Sequence, residues 1–194
     1  MISIQRERIR KCLLIIEDPI AKLFINIGIK ANHVTIIGLI LSIVAGISIV
    51  FEHQLIAGAF LAVSAIMDLL DGAVARMSAN TSRKGALLDS VSDRIGEIVL
   101  LGGISIYYSS INELNGSILA LTSLSTSFLV SYIRARSEGL GLKETRGIFT
   151  RTERLIVLNI SLFTNTLIIA LWIISIMGLI TIFQRFLYSW KSLK

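Results

Sequence analysis

Long apolar runs separated by short polar stretches make up most of the chain. Runs near the roughly 20 residues that cross a bilayer cover Val34 to Phe51, Leu55 to about Arg76, Gly85 to about Tyr108 and Leu114 to Ile133. A last uncharged run, Leu155 to Gln184, is long enough for two spans when its flanks to Thr150 and Ser189 are included. Its only polar turn is Thr164-Asn165-Thr166. The pattern therefore predicts six transmembrane helices.

A different pattern precedes these spans. Apolar residues recur every three or four positions at Ile9, Leu13, Ile16, Ile20, Leu23 and Ile27, and basic residues lie between them. Asp18 and Pro19 suit the start of a second helical piece, and Gly28 suits its end. We expect residues 1–30 to form an amphipathic juxtamembrane helix that lies on an anionic leaflet. The alternative is a soluble amphipathic helix that packs on a partner.

Composition agrees with an all-α integral membrane protein. The chain is 54% hydrophobic and 16% charged, with a mean hydropathy of +0.77, which excludes an ordinary soluble domain. Its 194 residues leave room for a single domain, so we assign residues 1–194 to one unit whose six-helix bundle covers residues 32–190. The only cysteine, Cys12, cannot form an internal disulfide.

Basic residues predict the orientation. Six spans place the N-terminal segment, the loop from Met77 to Lys84, the loop from Arg134 to Arg154 and the C-terminal tail on one side. All 19 Lys and Arg residues lie there or at adjoining helix ends. Because such residues collect on the cytoplasmic side, we expect a multi-pass protein of the cell membrane with both termini and its polar site cytoplasmic. This topology explains the net charge of +6 without a nucleic acid partner.

Four aspartates flank the second polar loop. Asp68 and Asp71 are three residues apart, and Asp89 and Asp93 are four apart, so each pair shares one face of its helix. A helical hairpin would bring the pairs together, where their mutual repulsion calls for a divalent cation. Oxygen ligands select hard ions, Mg²⁺ or Mn²⁺, ahead of Zn²⁺ or copper. Such ions in enzymes usually hold phosphate.

Neighbouring residues fit the same chemistry. Gly72 and Gly85 have no side chain and let a ligand or a helix approach the backbone, and Arg76 supplies a positive charge beside phosphates. In the alternative interpretation the acids are helix-end charges paired with Arg76, Lys84 and Arg94. That alternative accounts for neither the regular spacing nor the glycines.

The pattern Asp68-x-x-Asp71-Gly72-x-x-Ala75-Arg76, eight residues, Gly85-x-x-x-Asp89-x-x-x-Asp93 resembles the full signature of the CDP-alcohol phosphotransferase family. The resemblance implies a membrane enzyme that transfers a lipid-phosphoryl group from a CDP-lipid to an alcohol and releases CMP. It implies two metal ions held by Asp68, Asp71, Asp89 and in part Asp93, with Asp93 as general base. It also implies a homodimer and a CDP-lipid pocket lined by Gly72, Ala75, Arg76, Ser82 and Gly85.

A second charged cluster, Ser131 to Arg154, bears on the acceptor alcohol. Several guanidiniums that converge bind a dianion, which an uncharged acceptor would not need; the alternative is a loop made basic by topology alone. The segment resembles the branch that makes phosphatidylinositol phosphate or archaetidylinositol phosphate. By that resemblance Ser131, Arg134, Arg154 and Arg185 bind the phosphate of inositol 1-phosphate, although the branch often has lysine at position 134.

Two other functions compete with this interpretation. The glycerol 3-phosphate branch of the same family also uses a phosphate monoester as acceptor. A cation transporter also carries intramembrane carboxylates, but its binding groups are expected near the midplane, whereas these acids lie at one end of two spans. The sequence leaves open whether the donor carries diacylglycerol or archaeol, and whether the metal is Mg²⁺ or Mn²⁺.

Overall fold

A computed structural model describes residues 17–78, 82–142 and 146–193, and every regular element in these ranges is an α-helix. Residues 17–26 are the described part of α1. The other helices are α2 (Ala31–Val50), α3 (Gln54–Met77), α4 (Arg83–Ser110), α5 (Leu114–Gly139), α6 (Arg151–Thr164) and α7 (Leu167–Ser192). The order of α2 to α7 follows the six apolar runs, and the turn between α6 and α7 lies at Asn165, whose φ is 55°.

Four helices within the described ranges, α2, α3, α5 and α7, are long and apolar enough to cross a membrane. Helix α4 has 28 residues, but its N-terminal part, up to Glu97, carries the charged residues Arg83, Lys84, Asp89, Asp93, Arg94 and Glu97. Helix α6 has 14 residues, which is about 21 Å at 1.5 Å per residue and less than the roughly 30 Å hydrocarbon layer. An all-helical membrane protein is thus confirmed, and the count of six spans stays a prediction.

The N-terminal segment is only partly described. The described part of α1, residues 17–26, includes Asp18 and Pro19 and ends before Gly28, whose φ of +81° suits a residue without a side chain. Residues 1–16, which carry three of the six apolar positions of the predicted pattern, lie outside the described residues. The interfacial position of this segment therefore stays a prediction.

Helix α2 packs along both α3 and α4, and these two do not pack extensively on each other. Small residues permit the close approach of α2 and α4: a Cβ at Gly103 would lie 2.7 Å from the carbonyl oxygen of Gly46. The close contact of backbones at small residues is typical of helices in membranes. The predicted hairpin of α3 and α4 therefore has α2 packed against both of its arms.

Helices α5 and α7 form a second packed pair. The hydroxyls of Ser123 and Ser175 are 2.9 Å apart, and those of Ser137 and Ser189 are 2.7 Å apart. Both pairs are separated by 52 positions in the chain, so the two helices run parallel and in register. An apolar core that includes Leu101, Ile104, Leu162, Leu171 and Ile174 joins α4 and α6 to this pair.

Candidate active site

Three aspartates from two helices converge at one end of the bundle. Asp68 and Asp71 of α3 and Asp89 of α4 each offer a carboxylate oxygen, and these oxygens lie within 4.8 Å of one another. We call these three residues the acid cluster. Asp71 is only 8% exposed, and carboxylates this close repel one another unless a cation lies between them. An oxygen-only set of this size fits a hard divalent ion.

Helix α2 positions one member of the acid cluster. The Oγ1 hydroxyl of Thr35 donates a hydrogen bond of 2.7 Å to Oδ2 of Asp71, and both residues are buried. This bond fixes the orientation of the carboxylate, as hydrogen bonds to metal-ligating groups commonly do. No sequence pattern indicated Thr35, because it lies 36 positions from Asp71 and its only signal is a polar residue early in an apolar run.

The fourth predicted ligand, Asp93, lies beside the acid cluster and contacts cations. Its Oδ1 is 2.9 Å from Nη2 of Arg151, and its Oδ2 is 3.6 Å from Nη1 of Arg94. Nη1 of Arg151 is also 3.0 Å from both carboxylate oxygens of Asp68. Arg151 therefore links α6 to both α3 and α4. The sequence indicated this residue only as one of several loop arginines.

A cavity of about 160 Å³ opens beside the acid cluster. Four of the five residues predicted to bind the CDP-lipid line it: Gly72, Ala75, Ser82 and Gly85. A Cβ at Gly85 would lie 3.2 Å from Oγ of Ser82, so a side chain there would crowd the residue that caps α4. The cavity thus combines small residues with two of the three acids, because Asp71 and Asp89 also line it.

The fifth predicted residue, Arg76, is 54% exposed and is not among the residues that line this cavity. Its Nη2 is 3.3 Å from Oε2 of Glu17 in α1. Its Nη1 would nevertheless lie 3.0 Å from a Cβ at Gly72, so the guanidinium is next to the cavity wall. Glu17 of α1 thus pairs with the arginine that is predicted to lie beside the CDP-lipid.

Arg154, a predicted acceptor residue, forms a buried ion pair. Its Nε and Nη2 donate to the two carboxylate oxygens of Glu97 at 2.7 and 3.1 Å. The side chains are only 3% and 8% exposed, respectively, and Nη1 of Arg154 is buried without a partner. A cavity of about 30 Å³, lined by Glu97 together with Asp68, Asp71 and Asp93, separates this pair from the acid cluster and has room for a water molecule.

The other predicted acceptor residues also have partners within the protein. Arg185 is buried and donates to the carbonyl oxygens of Arg146 at 2.8 Å and Val130 at 2.7 Å. Arg134 is exposed, and its Nε is 2.9 Å from Oε1 of Glu138 in the same helix. Ser131, one turn before Arg134, is half-buried. All three arginines that are predicted to bind the acceptor phosphate thus contact oxygen atoms of the protein itself.

Comparisons with known proteins agree with this arrangement. The profile of the CDP-alcohol phosphatidyltransferase family matches residues 29–189. The archaetidylinositol phosphate synthase of Pyrococcus horikoshii is 33% identical over 198 residues, covering 100% of this chain and 99% of that protein. The crystal structure of Mycobacterium tuberculosis phosphatidylinositol phosphate synthase with CDP-DAG bound has a TM-score of 0.82 and 29% identity, and the match covers 90% of this chain and 94% of that one.

The same mycobacterial enzyme in complex with manganese and citrate matches with a TM-score of 0.81 and 28% identity, over 90% of this chain and 88% of that one. A family match over most of the chain, together with the acid cluster, shows a divalent-metal-dependent membrane enzyme. The chain belongs to the CDP-alcohol phosphatidyltransferase family.

Proposed function

We propose that the chain transfers the lipid-phosphoryl group of a CDP-lipid to inositol 1-phosphate, giving phosphatidyl- or archaetidylinositol phosphate and CMP. The donor is CDP-diacylglycerol or CDP-archaeol. The reaction class rests on the acid cluster and the adjoining cavity of about 160 Å³. The acceptor rests on the activity named for the Pyrococcus relative, which this chain matches over its whole length.

Asp68, Asp71 and Asp89 are the proposed metal ligands, with Asp93 as a partial fourth. Mg²⁺ or Mn²⁺, two ions in all, would suit their oxygen atoms. When bound, such ions neutralise charge on the diphosphate and on the leaving CMP. Thr35 supports this set from α2 because its hydrogen bond to Asp71 limits rotation of that carboxylate.

The residues proposed to bind the CDP-lipid are Gly72, Ala75, Arg76, Ser82 and Gly85. Four of them leave room beside the acid cluster, and Arg76 contributes charge. Arg76 can turn from Glu17 to a phosphate because its own side chain is 54% exposed, and the cost of the move is that Glu17, with a side chain only 11% exposed, loses this partner. The lipid tails would enter from the bilayer, and the polar acceptor from the cytosol.

Asp93 is the proposed general base. In the reaction the acceptor hydroxyl oxygen bonds to the lipid-side phosphorus, the bond from that phosphorus to CMP breaks, and the hydroxyl proton passes to a carboxylate oxygen of Asp93. CMP leaves with the bonding electron pair. The contact between Asp93 and Arg151 holds the carboxylate at the edge of the acid cluster.

Ser131, Arg134, Arg154 and Arg185 are the proposed ligands of the acceptor phosphate. Because these residues have different partners in the structure, the free-energy cost of turning to a phosphate differs among them. Arg134 can exchange Glu138 for a phosphate readily, since both side chains are about half exposed. Arg154 would have to share or leave a buried carboxylate, which is expensive unless phosphate replaces it.

We further propose six spans, a cytoplasmic site, cytoplasmic termini and a homodimer in the cell membrane. The distribution of basic residues supports this topology. Single cysteines at His53 and Leu193, introduced into a Cys12→Ser background, should react with an impermeant thiol reagent from opposite faces of sealed vesicles. Reaction of both from one face would refute the five spans that the six-span topology places between His53 and Leu193.

The test of function is CMP release by the purified protein in detergent with Mg²⁺. CDP-diacylglycerol and CDP-archaeol are each combined with inositol 1-phosphate, free inositol, glycerol 3-phosphate and serine. We expect release with inositol 1-phosphate alone. A preference for glycerol 3-phosphate would keep the reaction class and refute the acceptor, and no CMP with any pair of substrates would favour a cation transporter.

A further inference from the structure

Arg151, the first residue of α6, binds carboxylates on two other helices. Its Nη1 is 3.0 Å from both oxygens of Asp68, and its Nη2 is 2.9 Å from Oδ1 of Asp93. Asp68 is also one of the three carboxylates in the acid cluster. Arg151 and a metal ion would therefore both bind the carboxylate of Asp68.

The guanidinium and the metal ion would compete for this carboxylate and repel each other. Nη1 of Arg151 engages both oxygens of Asp68, and a hard divalent ion needs carboxylate oxygens at 2.0 to 2.6 Å, roughly. A guanidinium so close would also repel the ion. The repulsion energy is twice that between a guanidinium and a monovalent ion at the same distance. Full metal loading and the present contacts of Arg151 thus oppose each other.

The present position of Arg151 is incompletely satisfied. Its Nε is buried and has no hydrogen-bond partner, which carries a free-energy penalty. As the first residue of α6, its charge also lies at the positive end of a helix dipole, where a cation is unfavourable. The carboxylates of Asp68 and Asp93 offset both penalties only while they are available to the arginine.

The backbone of α6 is anchored independently of this side chain. Thr150 N donates to Oε2 of Glu153 at 2.8 Å, and the Thr150 side chain accepts from the backbone N–H of Glu153, forming a capping box. One turn later, Arg154 is held by Glu97. The Arg151 side chain can therefore change partners without displacing the helix.

We propose that Arg151 is an exchangeable counter-ion: its guanidinium and the divalent metal alternate as partners of Asp68 and Asp93. The inference rests on the proposed function, because it requires the metal at these acids. In the metal-free protein Arg151 balances part of the negative charge and holds the carboxylates in place. Metal binding releases the guanidinium from both carboxylates.

The test is the dissociation constant of Mn²⁺ for the full-length protein in detergent, measured by titration with electron paramagnetic resonance of the free ion. Removing a competing cation should tighten binding, so we expect Arg151→Gln to lower the constant about 10-fold or more. A residue that only held the site together would have the opposite effect, because its loss would weaken binding. Thermal unfolding without metal should show a less stable variant, and Mn²⁺ should raise its melting temperature more than that of the parent.

Arg94→Gln is the matched control. Arg94 is a second cation beside Asp93, but it is 3.6 Å away and contacts no other acid that we assign to the metal. Its removal should change the Mn²⁺ constant less than about 3-fold, since the pair is long at 3.6 Å and Arg94 contacts only one of the two carboxylates that Arg151 binds. An equal decrease of the Mn²⁺ dissociation constant in both variants would mean that the total positive charge near the acids, rather than the contacts of Arg151, sets the affinity. That result would overturn the proposal.

Arg151→Lys covers the case in which the glutamine variant does not fold. Lysine keeps the charge but cannot present two nitrogen atoms to two carboxylates, so Mn²⁺ should bind more tightly than in the parent. Unchanged or weaker binding in a folded Arg151 variant would overturn the exchange and leave the proposed function intact. Failure of the parent protein to bind Mn²⁺ at all would overturn the metal site itself, and with it both proposals.

Discussion

The buried pair of Arg154 and Glu97 offers a test that separates structural support from acceptor binding. Both charges are almost fully buried, and the guanidinium makes two short bonds to the carboxylate. Removing one member of such a pair leaves a buried charge uncompensated, which costs about 3–5 kcal/mol. For a chain of this size that corresponds to a melting temperature lower by roughly 6–20 °C.

Three variants form the experiment: Arg154→Met, Glu97→Leu and the double substitution. Each single substitution should lower the melting temperature in detergent by the amount given. The double substitution should recover most of it, because apolar side chains of similar volume can replace a buried pair at little cost. Thermal unfolding followed by tryptophan fluorescence measures this effect, and CMP release measures activity in the same preparations.

The two roles of Arg154 then predict different kinetics for the double variant. If Arg154 binds the acceptor phosphate, as we propose, the KM for inositol 1-phosphate stays raised at least about 10-fold, a loss of about 1.4 kcal/mol. The KM for the CDP-lipid should change much less. Recovery of the acceptor KM together with stability would refute the assignment and leave Arg154 as a structural partner of Glu97.

Three further predictions concern other residues. Asp93→Asn should lower turnover about 10²-fold or more with CDP-lipid binding nearly unchanged; parental turnover would exclude it as the base. Thr35→Val removes the hydrogen bond to Asp71 and should lower CMP release or metal affinity about 10–100-fold. Thr35→Ser keeps the hydroxyl and should retain both, so an equal loss in the two variants would contradict the role of the hydroxyl. Gly103→Ala puts a Cβ 2.7 Å from a backbone oxygen of α2 and should destabilise the protein by about 1–3 kcal/mol, measured by thermal unfolding. Gly102→Ala, whose Cβ would have no atom within 4 Å, should not destabilise it. Similar melting temperatures for the two variants would contradict the close packing.

The helices and the family could be predicted from the sequence because local signals specify them. Apolar run length and one polar turn indicated α2 to α7, and the regular spacing of four acids indicated the family, which is confirmed. The identity of the ion and the residues that bind each substrate stay predictions. For these, the sequence supplies residue types at fixed spacing, and the family resemblance supplies the roles.

What the sequence could not indicate is which partner each charged residue takes. Arg154 pairs with Glu97, 57 positions away, and Arg185 binds the carbonyls of Val130 and Arg146. A run of loop arginines looks the same in sequence whether each one faces solvent, a substrate or an internal acceptor. These contacts depend on how α4 to α7 pack, and no local pattern encodes that packing.

The parallel register of α5 and α7 limits how this chain can adapt to bilayers of different thickness. Two serine pairs with the same offset lie 14 residues apart along each helix, which is two heptads and typical of left-handed helix pairs. Inserting or deleting one residue between the pairs in only one helix would turn the hydroxyls of one pair about 100° apart and shift Arg185 from its carbonyls. Longer spans for a thicker membrane must therefore come from residues beyond the serine pairs, or from matched changes in both helices.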